Sequence, residues 1–136
     1  MNAIKLVILP GLLMLSACSK TFFVDVKKPA DNTIAFCFYS DANRTTQVVK
    51  TITRLSVLEE QKSGDWVPVW EINGPMTQAC VDYGTASNEI QVKVPATTLI
   101  TGKHYRVAAT DDNSPVGYGT LNFSLHADGT PYMDSN

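Results

Sequence analysis

The chain has 136 residues and a formal net charge of −2, with 44% apolar and 18% charged residues. This length suits one domain with a single core, and the balance of residue types excludes a disordered protein. The sequence has no basic patch, so we do not expect a nucleic-acid partner. A mildly acidic surface instead favours a protein partner.

The first eighteen residues have the pattern of a secretory signal. Lys5 precedes an apolar run over residues 6–15, and two small residues separate that run from Cys18. A membrane-spanning helix needs about 20 apolar residues, and this run is shorter and is interrupted by Pro10-Gly11. We therefore predict a cleaved signal rather than a transmembrane or core helix.

The segment Leu15-Ser16-Ala17-Cys18 resembles the lipobox of bacterial lipoproteins at all four positions. The resemblance implies that residues 1–17 are removed and that Cys18 carries acyl chains on its sulfur and its new amino group. Two or more chains anchor a protein stably. Residues 18–21 would then form the lipidated N-terminus and a short tether. By the same analogy, Ser19 favours export to the outer membrane, on its periplasmic side.

Once Cys18 is assigned to the lipid, Cys37 and Cys80 remain as a pair in an oxidising compartment. We expect them to form a disulfide that closes a loop of about 44 residues, which the chain-entropy model values at roughly 4 kcal/mol. The alternative is two separate buried thiols, because free cysteine packs like a small apolar residue.

After the signal, almost every segment alternates with a period of two residues, and almost none shows a helical period. We predict eight strands, over residues 22–27, 34–39, 51–58, 66–72, 77–83, 89–94, 103–110 and 119–125. The second strand should be buried on both faces, and the sixth should have one dry face of Ile90, Val92 and Val94. Pro68 lacks an N–H donor, which predicts a sheet edge for the fourth strand. Asn73-Gly74-Pro75 is a predicted turn.

Short strands at regular spacing predict an all-β sandwich of seven or eight strands over residues 22–126, followed by a flexible tail over residues 127–136. The segment from Leu99 to Val107 resembles the Leu-x-Pro-Gly-x-x-Tyr-x-Val segment of fibronectin type III domains, with Thr101 in place of proline. This resemblance implies an immunoglobulin-like sandwich in which the hydroxyl of Tyr105 bonds back to nearby backbone.

The sequence offers little for catalysis. The only histidines are His104 and His126, and no nucleophile motif or glycine-rich phosphate loop accompanies them. Asp111-Asp112-Asn113 has the oxygen ligands that Ca²⁺ prefers, but it lacks the further carboxylates of a complete loop and is typical turn chemistry. We therefore expect neither an enzyme nor a metal or other cofactor.

The fourth predicted strand contains both tryptophans. Regular alternation would place Trp66, Pro68 and Trp70 on one face, and Val67 and Val69 on the other. If the valines face the core, the tryptophans are exposed and become candidates for partner binding, since tryptophan is enriched at interaction hot spots. In the alternative, the tryptophans fill the core and the valines cover its rim.

The whole plan resembles type VI secretion immunity periplasmic lipoproteins. The features that carry the resemblance are the lipobox, Cys37 within Ile-Ala-Phe-Cys-Phe, and Cys80 within Gln-Ala-Cys-Val-Asp-Tyr-Gly. It implies a membrane-anchored binding protein that neutralises a periplasm-acting toxin. Two alternatives remain: a structural lipoprotein of an envelope or secretion assembly, and a binder of a small ligand or glycan.

Overall fold

The computed structural model describes residues 21–48, 51–113 and 116–135. The predicted signal over residues 1–17 and the lipidation site Cys18 lie outside the described residues. The described part is all-β and contains nine strands. They are β1 (Phe23–Ala30), β2 (Thr33–Tyr39), β3 (Ile52–Glu60), β4 (Trp66–Met76), β5 (Cys80–Asp82), β6 (Gln91–Val94), β7 (Tyr105–Asp111), β8 (Tyr118–Leu125) and β9 (Pro131–Met133).

The strands form a sandwich of two antiparallel sheets. One sheet has three strands in the order β1-β2-β5, and the other has six in the order β6-β4-β3-β7-β8-β9. In immunoglobulin-like sandwiches, strands A, B and E share one sheet while C, F and G share the other. Here β1, β2 and β5 correspond to the first set, and β3, β7 and β8 to the second.

The core lies between the two sheets. Alternate residues of β1, β3 and β7 point inward, as period-two alternation predicts, whereas β2 is buried on both faces over 35–39. The largest fully buried side chains come from both sheets, and they are Trp70, Tyr105, Phe36, Phe38 and Phe123. Aromatic contacts join the sheets, with the ring centroid of Phe36 lying 6.4 Å from that of Trp70 and 5.7 Å from that of Phe123.

The strand β4 differs from its prediction in two ways. It continues through Asn73-Gly74-Pro75, the predicted turn, to Met76. Its second half is also not a sheet edge, because β6 pairs with it from Glu71 to Asn73. Only the first half, which includes Pro68, lacks a strand on that side. The missing proline donor is thus tolerated where no neighbouring strand requires it.

The predicted dry face of the sixth strand is confirmed only in part: Ile90 packs against the core and Val94 is half-buried, but Val92 is not covered. In β6, Val92 is 41% exposed, and residues 91–93 are all exposed. The strand pairs with β4 alone and lies at the edge of the six-stranded sheet. The opposing sheet has only three strands, so it does not extend far enough to cover this edge.

Residues 131–133, which fall in the predicted flexible tail, instead form β9 against β8. A tight turn closes this hairpin, with the N–H of His126 donating to the carbonyl of Thr130 at 2.8 Å. The carboxylate of Asp134 then accepts a hydrogen bond from Ser124 Oγ at 2.7 Å. Polar residues such as Thr130 and Asp134, which suggested a mobile tail, instead form the hydrogen bonds that hold this segment against β8.

Two local features agree with the sequence. Cys37 and Cys80 form a disulfide between β2 and β5, where they are register partners with Cα atoms 4.0 Å apart. Tyr105 begins β7, and its hydroxyl accepts a hydrogen bond from the N–H of Ile100 at 2.9 Å. This is the tyrosine corner that the Leu99–Val107 segment predicted. Burial raises the pKa of Tyr105, so the hydroxyl stays protonated.

Candidate binding surface

The six-stranded sheet has one face against the core and one facing solvent, which we call the outer face. Directly paired residues of neighbouring strands lie on the same face. The outer face is therefore traced by the paired rows Glu71–Ser56–Ala108–Thr120, Pro68–Leu58–Arg106–Asn122 and Arg54–Thr110–Tyr118. Among hydroxyl, amide and carboxylate groups, it carries Tyr118, Arg54 and Arg106, and aromatic residues and arginine are enriched at protein interfaces.

The two tryptophans do not share a face. Val57 pairs with Trp70 and Leu58 with Pro68, so Val69 is an extra residue that forms a β-bulge. The bulge shifts the alternation by one residue, and Trp70 faces the core at 1% exposure while Trp66 lies on the outer face. The shared face that regular alternation predicted for Trp66 and Trp70 is wrong, because a bulge within a strand cannot be read from alternation.

Trp66 is held in place by an arginine from the neighbouring part of the sheet. The guanidinium carbon of Arg106 lies 4.2 Å from the ring centroid of Trp66, a cation–π contact. Arg106 Nε also donates a hydrogen bond to Asn122 Oδ1 at 2.8 Å. The tryptophan and arginine are thus pre-ordered before any partner arrives, which reduces the entropic cost of binding.

The arginines near this face differ in their partners. Arg54 Nη2 forms an ion pair with Glu71 Oε1 at 3.1 Å. Arg106 bonds only to the Asn122 amide, and Arg44 donates to two backbone carbonyls, those of Val24 at 2.9 Å and Ala42 at 3.0 Å. Among the described residues, Arg44 and Arg106 therefore have no carboxylate partner.

A histidine, a serine and an aspartate meet beside the outer face. His104 Nδ1 lies 3.0 Å from Ser124 Oγ and 3.3 Å from Asp134 Oδ2. Ser124 donates its own proton to Asp134 Oδ1. In a nucleophilic triad the imidazole uses one nitrogen for the serine and the other for the aspartate. Here one nitrogen faces both, and the cluster joins β7, β8 and the end of β9.

The Asp111-Asp112-Asn113 segment builds a turn. The carboxylate of Asp111 is buried and accepts hydrogen bonds from the N–H of Gly117 at 2.7 Å and the N–H of Asn113 at 3.0 Å. These bonds close the β7–β8 connection. No group of three or more histidine, cysteine, aspartate or glutamate side chains among the described residues could hold a metal ion.

A separate cleft of about 500 Å³ opens at one end of the sandwich, between the β1–β2 turn and residues 96–99. Tyr83 lines it and donates a hydrogen bond to the carbonyl of Thr97 at 2.6 Å. Burial raises the pKa of Tyr83 to about 12, so it acts only as a neutral hydroxyl. The cleft carries few charged groups and offers no arrangement specific to one ligand.

A comparison of the chain with protein-family models, with curated proteins and with solved structures gave no match. Among the described residues, no helix is long and apolar enough to cross a membrane.

Of the two residues predicted to bind a partner, one lies on the outer face and the other in the core. Arg44 and Arg106 were not among the residues singled out from the sequence. Arg106 follows Tyr105 in a strand whose alternate residues are buried, so its outward position could have been read from that pattern. Arg44 comes from the loop after β2, and no local pattern predicts where a loop arginine lies.

Proposed function

We propose that this chain is a membrane-anchored periplasmic binding protein that neutralises a periplasm-acting toxin by direct contact. The observation that carries the proposal is the stacked pair of Trp66 and Arg106 on the outer face. Tryptophan and arginine are the residue types most enriched among interface hot spots. The pair lies on a β-sandwich whose smaller sheet contains the Cys37–Cys80 disulfide, and this scaffold supports the surface.

Exposed apolar side chains near the pair extend the surface. Tyr132 is 40% exposed and Met133 48%, and both line one surface depression together with Trp66. A binding protein of this kind needs a surface and no reaction chemistry. It acts by covering the functional cleft of its toxin, and we assign it no catalytic step.

The test begins with affinity capture. The bait is the chain without residues 1–17 and with Cys18→Ser, and it is exposed to lysate and secreted material of the same strain. A captured protein counts as the toxin only if its export to the periplasm kills cells that lack this lipoprotein and spares cells that express it. Recovery of envelope or secretion-machine subunits without such a toxin would contradict the proposal and favour the structural alternative.

The contact surface is tested on the toxin identified in this way. Trp66→Ala should weaken binding about 30-fold, which corresponds to the roughly 2 kcal/mol of a hot spot. Ile100→Ala is the control, because Ile100 is an apolar residue with 47% exposure that lies away from the outer face, in the loop before β7. Equal affinities for the Trp66 variant and the wild type would remove the outer face from the proposal.

A further inference from the structure

We propose that Arg44 and Arg106 form a receptor for one carboxylate side chain, a glutamate or aspartate of the protein partner. This inference rests on the proposed function for the identity of the partner. The two arginines line one pocket of about 320 Å³, together with Thr120, Leu121, Asn122, Met133 and Asp134. Ligand pockets usually measure about 300 to 1,000 Å³, so this one lies at the lower end of that range and has room for a carboxylate side chain.

The first argument is the unused donor capacity of the two arginines. Arg106 is bonded through Nε alone, and both of its terminal nitrogens lack a hydrogen-bond partner among the described residues. Arg44 is bonded through Nε and Nη1, and its Nη2 has no such partner. A guanidinium presents parallel N–H donors that match the two oxygens of a carboxylate.

The second argument is the charge of the pocket. Of the described residues that line it, Asp134 alone has a carboxylate, and both oxygens of that group already have partners in Ser124 and His104. Two guanidinium charges therefore face one engaged carboxylate. Thr120 and Asn122 add neutral hydrogen-bonding groups. These groups can bind an incoming carboxylate without weakening its attraction to the two guanidinium groups.

The third argument is pre-organisation. Trp66 covers one face of the Arg106 guanidinium, and Asn122 fixes its Nε edge. The backbone carbonyl of Val24 holds Arg44 in the same way. Both cations are only half exposed, so a carboxylate that reaches them is partly removed from water. Charge-assisted hydrogen bonds are stronger there than at a fully exposed site.

The occupant is a protein side chain rather than an anionic membrane. The whole chain has a net charge of −2, which opposes adsorption to an anionic lipid surface. Exposed Met133 and Tyr132 lie beside the pocket, and such side chains pack against another protein. Membrane recognition would instead use clusters of several lysines or arginines.

The test uses the fragment of residues 19–136, which contains all nine described strands and the whole described core. It is titrated with the blocked peptide acetyl-Gly-Glu-Gly-amide, and acetyl-Gly-Gln-Gly-amide is the control probe. The NMR signals of the Trp66 indole, the Arg106 Nε–H and the Asn122 side-chain amide report on the pocket. We expect the glutamate peptide to shift these signals with a millimolar Kd and the glutamine peptide to leave them unchanged.

Arg106→Gln and Arg44→Gln should each weaken peptide binding about tenfold, a loss of about 1.4 kcal/mol. Arg106→Lys should also weaken it, because it keeps the charge but lacks the paired donors. Arg54→Gln is the matched control and should leave the Kd within about twofold, since Arg54 already pairs with Glu71. The amide spectrum of each variant verifies its fold.

Three results would overturn the inference: no shift with either peptide, equal shifts with both, or unchanged binding by the Arg44 and Arg106 variants. A separate assay tests whether the fragment sediments with phosphatidylglycerol vesicles. If it does, if the Arg44→Gln/Arg106→Gln variant does not, and if the fragment binds neither peptide, the pocket binds lipid instead. These results are independent of toxin capture. A failed peptide titration thus contradicts the carboxylate receptor alone, whereas a failed affinity capture contradicts the proposed toxin-neutralising function.

Discussion

At the scale of single residues, the two tryptophans show how one bulge separates a structural role from a surface role. Trp70 packs among aromatic rings, with the ring of Tyr83 4.9 Å away. Trp66 contacts the guanidinium of Arg106 at the sheet surface. Four residues apart in the chain, they face opposite sides of the same sheet, and substitutions at them should affect different properties.

Trp70→Ala should lower the free energy of unfolding by about 3–5 kcal/mol, because it leaves a large cavity between the sheets. Trp66→Ala should lower it by about 1 kcal/mol or less, since only a partly exposed cation–π contact is lost. Urea unfolding followed by circular dichroism measures both. Similar losses for the two variants would contradict the opposite facing of these side chains.

The hydroxyl of Tyr105 is a second residue with a separable contribution. Tyr105→Phe removes the acceptor of the Ile100 N–H and leaves that donor without its partner, so we expect a loss of about 1–2 kcal/mol. Tyr118→Phe, at an exposed position on the outer face, should change stability by no more than about 0.5 kcal/mol. Equal thermal midpoints for the Tyr105 variant and the wild type would show that the corner bond is not stabilising.

At the scale of elements, the disulfide fastens the shortest strand of the smaller sheet. The strand β5 has three residues and pairs only with β2. The cystine links these strands across a sequence separation of 43 residues, so it restricts the unfolded chain as well as the folded one.

Replacing Cys37 and Cys80 together by alanine should lower the free energy of unfolding by about 2–4 kcal/mol. Adding a reductant should destabilise the wild type by a similar amount and leave the double-alanine variant unchanged, which provides the control. Denaturant midpoints measured with and without reductant test this. Insensitivity of the wild-type midpoint to reductant, with both thiols shown to be free, would contradict the stabilising role.

Element boundaries were predicted less well than element identity. All eight predicted strands occur, because period-two burial leaves a direct mark on the sequence. The length of β4, the exposure of β6 and the strand β9 were not predicted. Each of these depends on what lies beside the segment: a neighbouring strand at 71–73, an opposing sheet too small to cover β6, and polar anchors on β8.

At the scale of the whole molecule, the proposed lipidation site and the folded domain lie close together along the chain. Two residues separate Cys18 from Thr21, and Thr21 pairs with Tyr118 of the six-stranded sheet. If Cys18 carries the lipid, the sandwich is held within about 10 Å of its anchor. The surface that we propose for toxin binding would then lie near the membrane.

Cys18→Ser should abolish incorporation of labelled palmitate and move the protein from the membrane fraction to the soluble fraction. The folded domain should be unaffected, because the nine described strands run from Phe23 to Met133, and an unchanged Cys37–Cys80 disulfide would verify this. Retention in the membrane fraction without palmitate would contradict the lipid anchor. Loss of toxin protection with unchanged affinity in solution would show that anchoring is needed for function.

The sequence by itself determined the all-β class, the single core, the Cys37–Cys80 pair and the Tyr105 corner. The class, the core and the corner depend on local periodicity or on a short motif, which neighbouring residues carry, and the cysteine pair follows from a count of cysteines although its members are 43 residues apart. Only the tertiary structure decided which tryptophan faces solvent and which arginines share a pocket. Those outcomes depend on a bulge at Val69 and on the meeting of Arg44 and Arg106, which are 62 positions apart (106 − 44) and are brought together by the packing of the sheets.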